Sequence, residues 1–481
     1  MIHGSALDPG KNLCMGHNFI PVDRDQLYLL PPSIKDWLPE DHLAFFVLDV
    51  TEEMDLSGIY SDYRPDGWGA AAHEPAMMTA LLVYAYCVGV RSSRQIERAC
   101  HFDVAFRVIA ANQTPDHTTI SRFRARHEQA LARVFNESLR LCARAGMTSV
   151  GVVALDGTKM ATDASRGANR TKAYIDAEVE KILADAARID AEEDARFGPD
   201  NRGDEPPAAL RSREERRRRF AQAKARLDAE EATAKAEYEA LLARRAATEA
   251  ELGRKLRGRR PVPPKDPAEK RANTSDPESR LMKTRGGYLQ GYNAQAVVNE
   301  DQVIVAAEAT DQPADVTLLH PMVAEAQANL AEIGETDEIE VVLADAGYWS
   351  DKNMQAADPD GPELFIATNK DWRQRRAMRD QPATTGPPPD GASFREQMDH
   401  KLFTERGRDL YKKRQVIVEP VFGQIKEVRA TRRFSRRGKA AADAEWKLIC
   451  GTHNLLKLYR RGRAGEPRAN IWRTTVNPAT S

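Results

Sequence analysis

The chain has 481 residues, with 71 Lys or Arg against 72 Asp or Glu, for a net charge of −1. Hydrophobic residues make up 41% and charged residues 30%, which allows two or three domains with a sizeable core. Five scattered cysteines show neither CxxC nor zinc spacing, so they argue against a structural zinc and fit a reducing cytoplasm.

Residues 1–20 read as a disordered tail with no apolar signal segment. A helical pattern over 34–50 follows the turn Pro31-Pro32-Ser33, and YRPDGWG (63–69) is turn-rich. Three or four helices are predicted across 73–144, with Pro75 near a first turn, Ser93 and Glu97 as a cap pair, and Asp116 as a further cap. The apolar stretch at 76–90 is shorter than the ~20 residues of a membrane span, so it reads as a core helix. Ile120, Phe123, Leu131, Phe135, Leu139 and Leu141 form a buried stripe, and Arg122, Arg124 and Arg126 lie off it. Two readings stand for this part: a helical packing domain with a solvated basic face, or a reader of DNA ends with 118–127 as recognition helix.

At Ser149 the pattern changes to SVGVVALDGTKMATDA. Its β-branched run predicts a strand buried on both faces, ending at Asp156, where a buried carboxylate needs compensation. Residues 166–274 are an Ala-, Glu- and Arg-rich insertion. Val179, Ile182, Ala186 and Ile189 repeat at three and four, while Phe220, Leu227, Ala234 and Leu241 repeat at seven. The breaker at 197–207 makes the pair an antiparallel helical hairpin, coiled-coil-like, and 258–270 is a Pro-rich link back.

Sheet patterning resumes at Tyr292 with a hairpin around 299–302. A helix is expected over 316–331 with Asp315 as its cap, then a buried strand at 338–344 ending at Asp345. Ser350 caps a short helix, 363–368 is a further strand, and basic helical sequence runs over 405–461. The expected order is strand with Asp, insertion, hairpin, helix, strand with Asp, helix, strand, and helix with Glu419. This is an α/β fold, a mixed sheet with flanking helices, preceded by an all-α part. The expected boundaries are a tail at 1–20, a helical N-terminal domain at 21–147, a catalytic domain at 148–165 and 275–460, and a tail at 461–481.

Two strand-end carboxylates on neighbouring strands raise each other's pKa unless cations neutralise them. An oxygen-only donor set suits Mg²⁺ or Mn²⁺, and two such ions can activate a water or 3′-hydroxyl against a phosphodiester. Pro420 directly after Glu419 predicts a break, with a fresh helix starting at the proline. Tyr348 and Trp349 read as core packing sooner than as a stacking platform. Asn293 and Gln295 either order the site or satisfy nearby backbone, and Asp163 reads as a turn residue.

The segments 154–165, 276–298, 343–353 and YKKRQVIVEPVFGQIK (411–426) resemble bacterial insertion-sequence transposases of the DDE, RNase H-like superfamily. LPEDHLAFFVLDV (38–50) and PDHTTISRFRARH (115–127) resemble the helical domain preceding the catalytic core of that subgroup. The resemblance implies an RNase H-like catalytic domain, with Asp156, Asp345 and Glu419 as the triad holding Mg²⁺ or Mn²⁺, two ions in all. It also implies Tyr411, Arg414 and Lys426 as companions of the Glu that hold DNA phosphates. Four residues separate Arg414 from Glu419 where the family pattern Y-x2-R-x3-E-x6-K has three, which bears on the role of Arg414. Arg429, Arg432 and Arg433 open the densest basic run and are expected on DNA backbone.

The implied partners are double-stranded DNA, as terminal inverted repeats and as target, and a second copy of the chain when bound to DNA. No membrane is expected, and the location is cytoplasmic, with the nucleoid. The alternatives are a metal-dependent nuclease on the same fold and a catalytically silent, transposase-derived DNA-binding protein.

Overall fold

A computed structural model of the chain describes residues 33–63, 71–197, 208–284 and 286–464. Both expected tails, the turn at 64–69, the breaker at 198–207 and the side chains of Ala186 and Ile189 lie outside the described residues, except for 461–464.

The N-terminal part is helical, from α1 (Leu43–Glu52), α2 (Ser57–Tyr60) and α3 (Pro75–Cys87) to α4 (Ser93–Phe102) and α5 (Val104–Ile109). It continues with α6 (His117–Arg126), α7 (Glu128–Ala132) and α8 (Val134–Arg144). Pro75 opens α3, where its missing N–H costs nothing. Asp116 caps α6, its carboxylate accepting from the amides of Thr118 and Thr119. The expected Ser93–Glu97 cap pair does not form. Ser92 is the cap residue of α4, Ser93 accepts from Arg124, and Glu97 pairs with His117 at 2.8 Å. Arg124 is spent inside this part on Ser93, Tyr86 and the Arg91 carbonyl. Arg126 pairs with Asp62 and lies over the Tyr63 ring. Of the three α6 arginines proposed for a basic face, Arg122 is left exposed to solvent without such a contact.

The strands are β1 (Val152–Ala161), β2 (Asn169–Thr171), β3 (Arg271–Asn273), β4 (Arg280–Thr284), β5 (Gly287–Asn299), β6 (Ile304–Thr310), β7 (Val341–Ala344) and β8 (Glu363–Ile366). β5 pairs antiparallel with β1 along one edge, and with β4 and β6 along the other. β1 pairs parallel with β7, and β7 parallel with β8. The sheet is therefore mixed, in the order β6–β5–β1–β7–β8 with β4 beyond the end of β6. Val152–Leu155 and Val341–Ala344 are buried throughout, as parallel strands covered on both faces must be.

The remaining helices are α9 (Lys172–Phe197), α10 (Ala208–Glu251), α11 (Leu319–Glu332), α12 (Asp351–Gln355) and α13 (Asp371–Asp380). They are followed by α14 (Phe394–Phe403), α15 (Glu405–Ile417), α16 (Glu419–Gly423) and α17 (Lys439–Ala464). α17 packs on β6 and β5 and against α3, α7 and α8, joining the N-terminal helices to the sheet in one core. Its Asn454 bonds both the N–H and the C=O of Ile304, and Asp443 accepts from the Ala309 amide. These contacts satisfy the outer edge of β6, which would otherwise offer unpaired backbone groups.

The insertion stands on the short ribbon β2–β3. Its own small core joins Ile175, Phe220, Ala223, Leu227 and Ala272. The sevenfold repeat is buried only in its first half, since Leu241 is 54% exposed; α9 is 26 residues against 44 for α10 and leaves the rest of α10 uncovered. The expected helical run over 405–461 is broken twice. α15 stops at Ile417 and α16 opens at Glu419-Pro420, followed by a π turn at Gln424–Val428. Residues 429–438 are non-helical, and Arg433 bridges to Ala161 at the end of β1.

Candidate active site

The pairing of β1 with β7 ends at Leu155↔Ala344, so the next residue of each strand is an acid, Asp156 and Asp345. The two apolar strands bury their own length and release the chain at the same level of the sheet. Arg414, on α15 and only 5% exposed, donates from Nη2 to Asp156 Oδ2 at 2.8 Å and reaches within 4.0 Å of Asp345 Oδ2. Each acid also accepts a local amide: Gly157 N on Asp156 at 2.7 Å and Gly347 N on Asp345 at 2.8 Å. Burial raises the Asp156 carboxyl to about 6; Arg414 opposes that shift and the charge of Asp345 adds to it. The pair thus needs positive charge, and one guanidinium supplies part of it.

Glu419 stands at the start of α16, exposed, and makes no hydrogen bond or ion pair among the described residues. Its two nearest chain neighbours toward α15, Ile417 and Val418, are buried and seat the break between the helices. Among the described residues no group of three or more His, Cys, Asp or Glu side chains is arranged to hold a metal ion. The structure therefore brings Asp156 and Asp345 together through Arg414 and leaves Glu419 apart from that contact.

Beside Asp156 on the same strand face, Thr158 accepts from Lys426 Nζ at 2.6 Å. Burial lowers the Lys426 pKa, and Arg432 adds to the lowering. Tyr411 is buried at 4% exposure. Arg414 and Lys426 thus face β1 from α15 and from the π turn, on either side of Glu419 in the chain.

Sequence reading missed Asp315. It does not cap α11, whose cap residue is Leu318 with no side-chain bond. Its Oδ1 instead accepts from Asn293 Nδ2 at 2.7 Å, Gln295 Nε2 at 2.9 Å and Lys159 Nζ at 3.1 Å. Gln295 in turn accepts from the Tyr348 hydroxyl, and Tyr348 is fully buried, which makes it a packing residue. The network lies against the Asp pair, because a Cβ on Gly347 would sit 2.9 Å from Asp345 Oδ1 and 3.3 Å from Asp315 Oδ2. Gly157 belongs to the same arrangement, since a Cβ there would fall 2.0 Å from Gln295 Nε2. A signal for Asn293 and Gln295 was present, two amides alternating on a buried strand; nothing local distinguishes Asp315 from an ordinary turn acid.

The basic run divides. Arg429 is buried, donating to Thr452 Oγ1 at 2.9 Å and to the Ile449 carbonyl at 3.1 Å. The expected DNA contact is not open to it in this fold. Gly89, at φ +81°, allows the approach: a Cβ there would lie 2.8 Å from the Arg429 carbonyl oxygen. Arg432 and Arg433 are exposed, the first paired with Glu427 and the second 3.8 Å from Asp163. Arg437 also pairs with Asp163, so that turn acid anchors the basic loop.

Residues 32–126 match the family described as Transposase domain (DUF772), and residues 380–459 match Transposase DDE domain. The first match covers α1 to α6. The second covers Tyr411, Arg414, Glu419, Lys426 and the basic run. Asp156 and Asp345 lie outside both matched segments. No curated protein and no solved structure matches the chain.

Proposed function

The chain belongs to the DDE transposases of insertion sequences, and from that premise we propose that Asp156, Asp345 and Glu419 are the three acids of its active centre. One observation carries the proposal: the first two acids end adjacent parallel strands, and a buried cation from the DDE-matched segment bridges them. The strand order β6–β5–β1–β7–β8, with β5 antiparallel to β1 and β7 and β8 parallel to it, supports the finer assignment of an RNase H-like sheet.

The donor set at the strand ends is oxygen-only, and it draws positive charge, as Arg414 already demonstrates. Both properties fit a hard divalent cation such as Mg²⁺ or Mn²⁺. When bound, such ions would supply charge to activate a hydroxyl or water and to stabilise the leaving oxygen. Asp156 and Asp345 would hold them from the sheet, and Glu419 from the start of α16. The chain's own contribution is position and charge. Arg414 neutralises the two carboxylates while no other cation does, Lys426 holds Thr158 beside Asp156, and the Asp315 network sets the floor against which Asp345 turns. Arg432, Arg433 and the remaining basic companions would take DNA backbone phosphates, at terminal inverted repeats and at target DNA, with two copies of the chain holding two ends.

The separation of Glu419 from the aspartates is the one observation that favours a catalytically silent DNA-binding derivative. A strand-transfer assay decides. Oligonucleotides carrying the DNA that flanks the gene are incubated with a plasmid, Mg²⁺ or Mn²⁺ and the full chain. Joined products support transposition, and cleavage without joining supports a nuclease. Asp156→Ala, Asp345→Ala and Glu419→Ala should each abolish both steps while retaining DNA binding. Cleavage by the purified Asp156→Ala protein would sink the assignment.

A further inference from the structure

Between α13 and α15 lies a cavity of about 400 Å³ whose lining is cationic. Arg375 and Arg379 face it from α13, and Arg408, Lys412 and Arg414 from α15, with no Asp or Glu among the lining residues. Arg375 and Arg379 are four apart on one helix, and Arg408 and Lys412 four apart on the other. Like charges at that spacing repel and weaken a helix. Two such pairs converge on one cavity here, whereas Arg376, on the same α13, is matched by Asp380.

The site is also built. Arg408 is fixed by three backbone carbonyls, donating to Phe403 O at 3.0 Å, Gln381 O at 2.9 Å and Pro382 O at 2.6 Å. Neutral acceptors orient a guanidinium without cancelling its charge. Lys412 has an exposed partner in Asp409 at 3.1 Å, which offsets one charge of the five. Met378 and Tyr411 give the cavity an apolar side that seats the carbon skeleton next to an anionic group. Arg414 ties this cavity to the aspartates, since the guanidinium that lines it also donates to Asp156 at 2.8 Å.

We propose that the α13–α15 cavity binds one backbone phosphate of the DNA strand that runs past Asp156 and Asp345, held by Arg375 and Arg379 from the α13 side. The proposal rests on the transposase reading and adds to it a phosphate subsite on a helix outside the triad and outside the Tyr411–Lys426 stretch. Planar guanidinium forks suit a phosphodiester, which they bind bidentately. A phosphate here sets the register of the strand, and with it which phosphodiester faces the two acids.

The test uses the full chain with Arg375→Ala and Arg379→Ala combined, alanine being compatible with both helix positions. A second double variant, Arg373→Ala with Arg376→Ala, removes the same charge from the same helix outside the cavity. Binding of a fluorescein-labelled 30-base-pair duplex is followed by anisotropy across salt concentrations. One lost phosphate contact lowers the slope of log K against log salt by about 0.9, expected for the cavity variant and not for its control. Duplexes with a single neutral methylphosphonate, moved one position at a time, then locate the contact. At one position the wild type should lose roughly 10- to 100-fold in affinity, the range of hydrogen bonds to charged groups, and the cavity variant should lose nothing further there. Equal slopes for the two variants, or a methylphosphonate penalty that persists in the cavity variant, overturn the proposal. So does tight binding of inorganic phosphate that leaves DNA affinity unchanged, which would make the cavity a small-anion site. Wild-type protein that neither binds nor joins DNA would instead refute the transposase reading itself.

Discussion

Arg414 Nη2 lies 2.8 Å from Asp156 Oδ2, so a cation carried by the chain already stands where the proposed active centre requires positive charge. The same nitrogen is 4.0 Å from Asp345. A divalent ion entering between these acids has to share them with the guanidinium or displace it.

Arg414→Ala should therefore bind Mn²⁺ more tightly than the wild type in the absence of DNA. Removing one positive charge about 4 Å from the site is worth at least roughly tenfold in affinity at the effective dielectric of a partly exposed position. Without metal the same variant should be less stable, by up to about 3 kcal/mol, because two neighbouring carboxylates lose their partner. Mn²⁺ titration by electron paramagnetic resonance, with thermal melts beside it, checks both. Weaker Mn²⁺ binding by the variant would mean that Arg414 supports the metal site and does not compete with it.

Gly157→Ala places a methyl 2.0 Å from Gln295 Nε2 and 2.9 Å from its Cδ. Gln295 cannot swing away freely, since it bonds Asp315, Asn293 and Tyr348 together. Overpacking of this kind costs about 1–3 kcal/mol. Strand transfer should fall further than stability alone accounts for, because the displaced amides lie against Asp345. Denaturant melts and strand transfer measured on the same preparation separate the two effects. Full activity in a destabilised variant would show that the Asp315 network is only structural.

These two predictions draw on different degrees of legibility. The strands carrying Asp156 and Asp345 could be read from sequence because parallel central strands are apolar on both faces, and an acid ending such a run stands out. The break at Glu419-Pro420 was also legible, since proline restricts the residue before it. Asp315 was not. Its turn setting resembles a helix cap, and its donors come from β5 and β1, some 20 and 156 residues away. Nor could the burial of Arg429 be seen, because the neighbours that enclose it, near Gly89 and Thr452, come from α3 and α17. A run of arginines records charge; it does not record which member the fold turns inward.

His453 gives a pH signature. Burial pushes its imidazole down to about 3, and the charge of Arg429 acts in the same direction. The folded chain then takes up this proton less readily than the unfolded chain, whose His titrates near 6.5. The stability associated with neutral His453 is fully present above about pH 6.5 and is lost as pH falls toward 3. Over that window it changes by about 1.4 kcal/mol per pH unit. His453→Gln can still donate to the Gln302 carbonyl that His453 contacts, so its stability should fall less steeply between pH 6.5 and 5. Parallel slopes for the two proteins would contradict the buried neutral imidazole.

Arg429 and Arg432, three residues apart in one basic run, should behave in opposite ways. Arg429→Ala empties a buried position and leaves Thr452 and the Ile449 carbonyl without their donor. A loss of about 3 kcal/mol is expected, with α3 and α17 loosening together because the side chain sits between them. Arg432 is 63% exposed and paired on the surface with Glu427. Surface pairs of this sort contribute about 0–1 kcal/mol, so Arg432→Ala should melt almost as the wild type does. Its effect should fall on DNA binding, where one lost phosphate contact lowers the salt slope by about 0.9. Urea denaturation and salt-dependent anisotropy on both variants make the comparison. If Arg429→Ala keeps its stability and loses DNA affinity instead, Arg429 leaves its buried place to meet DNA, and the division of the basic run drawn here fails.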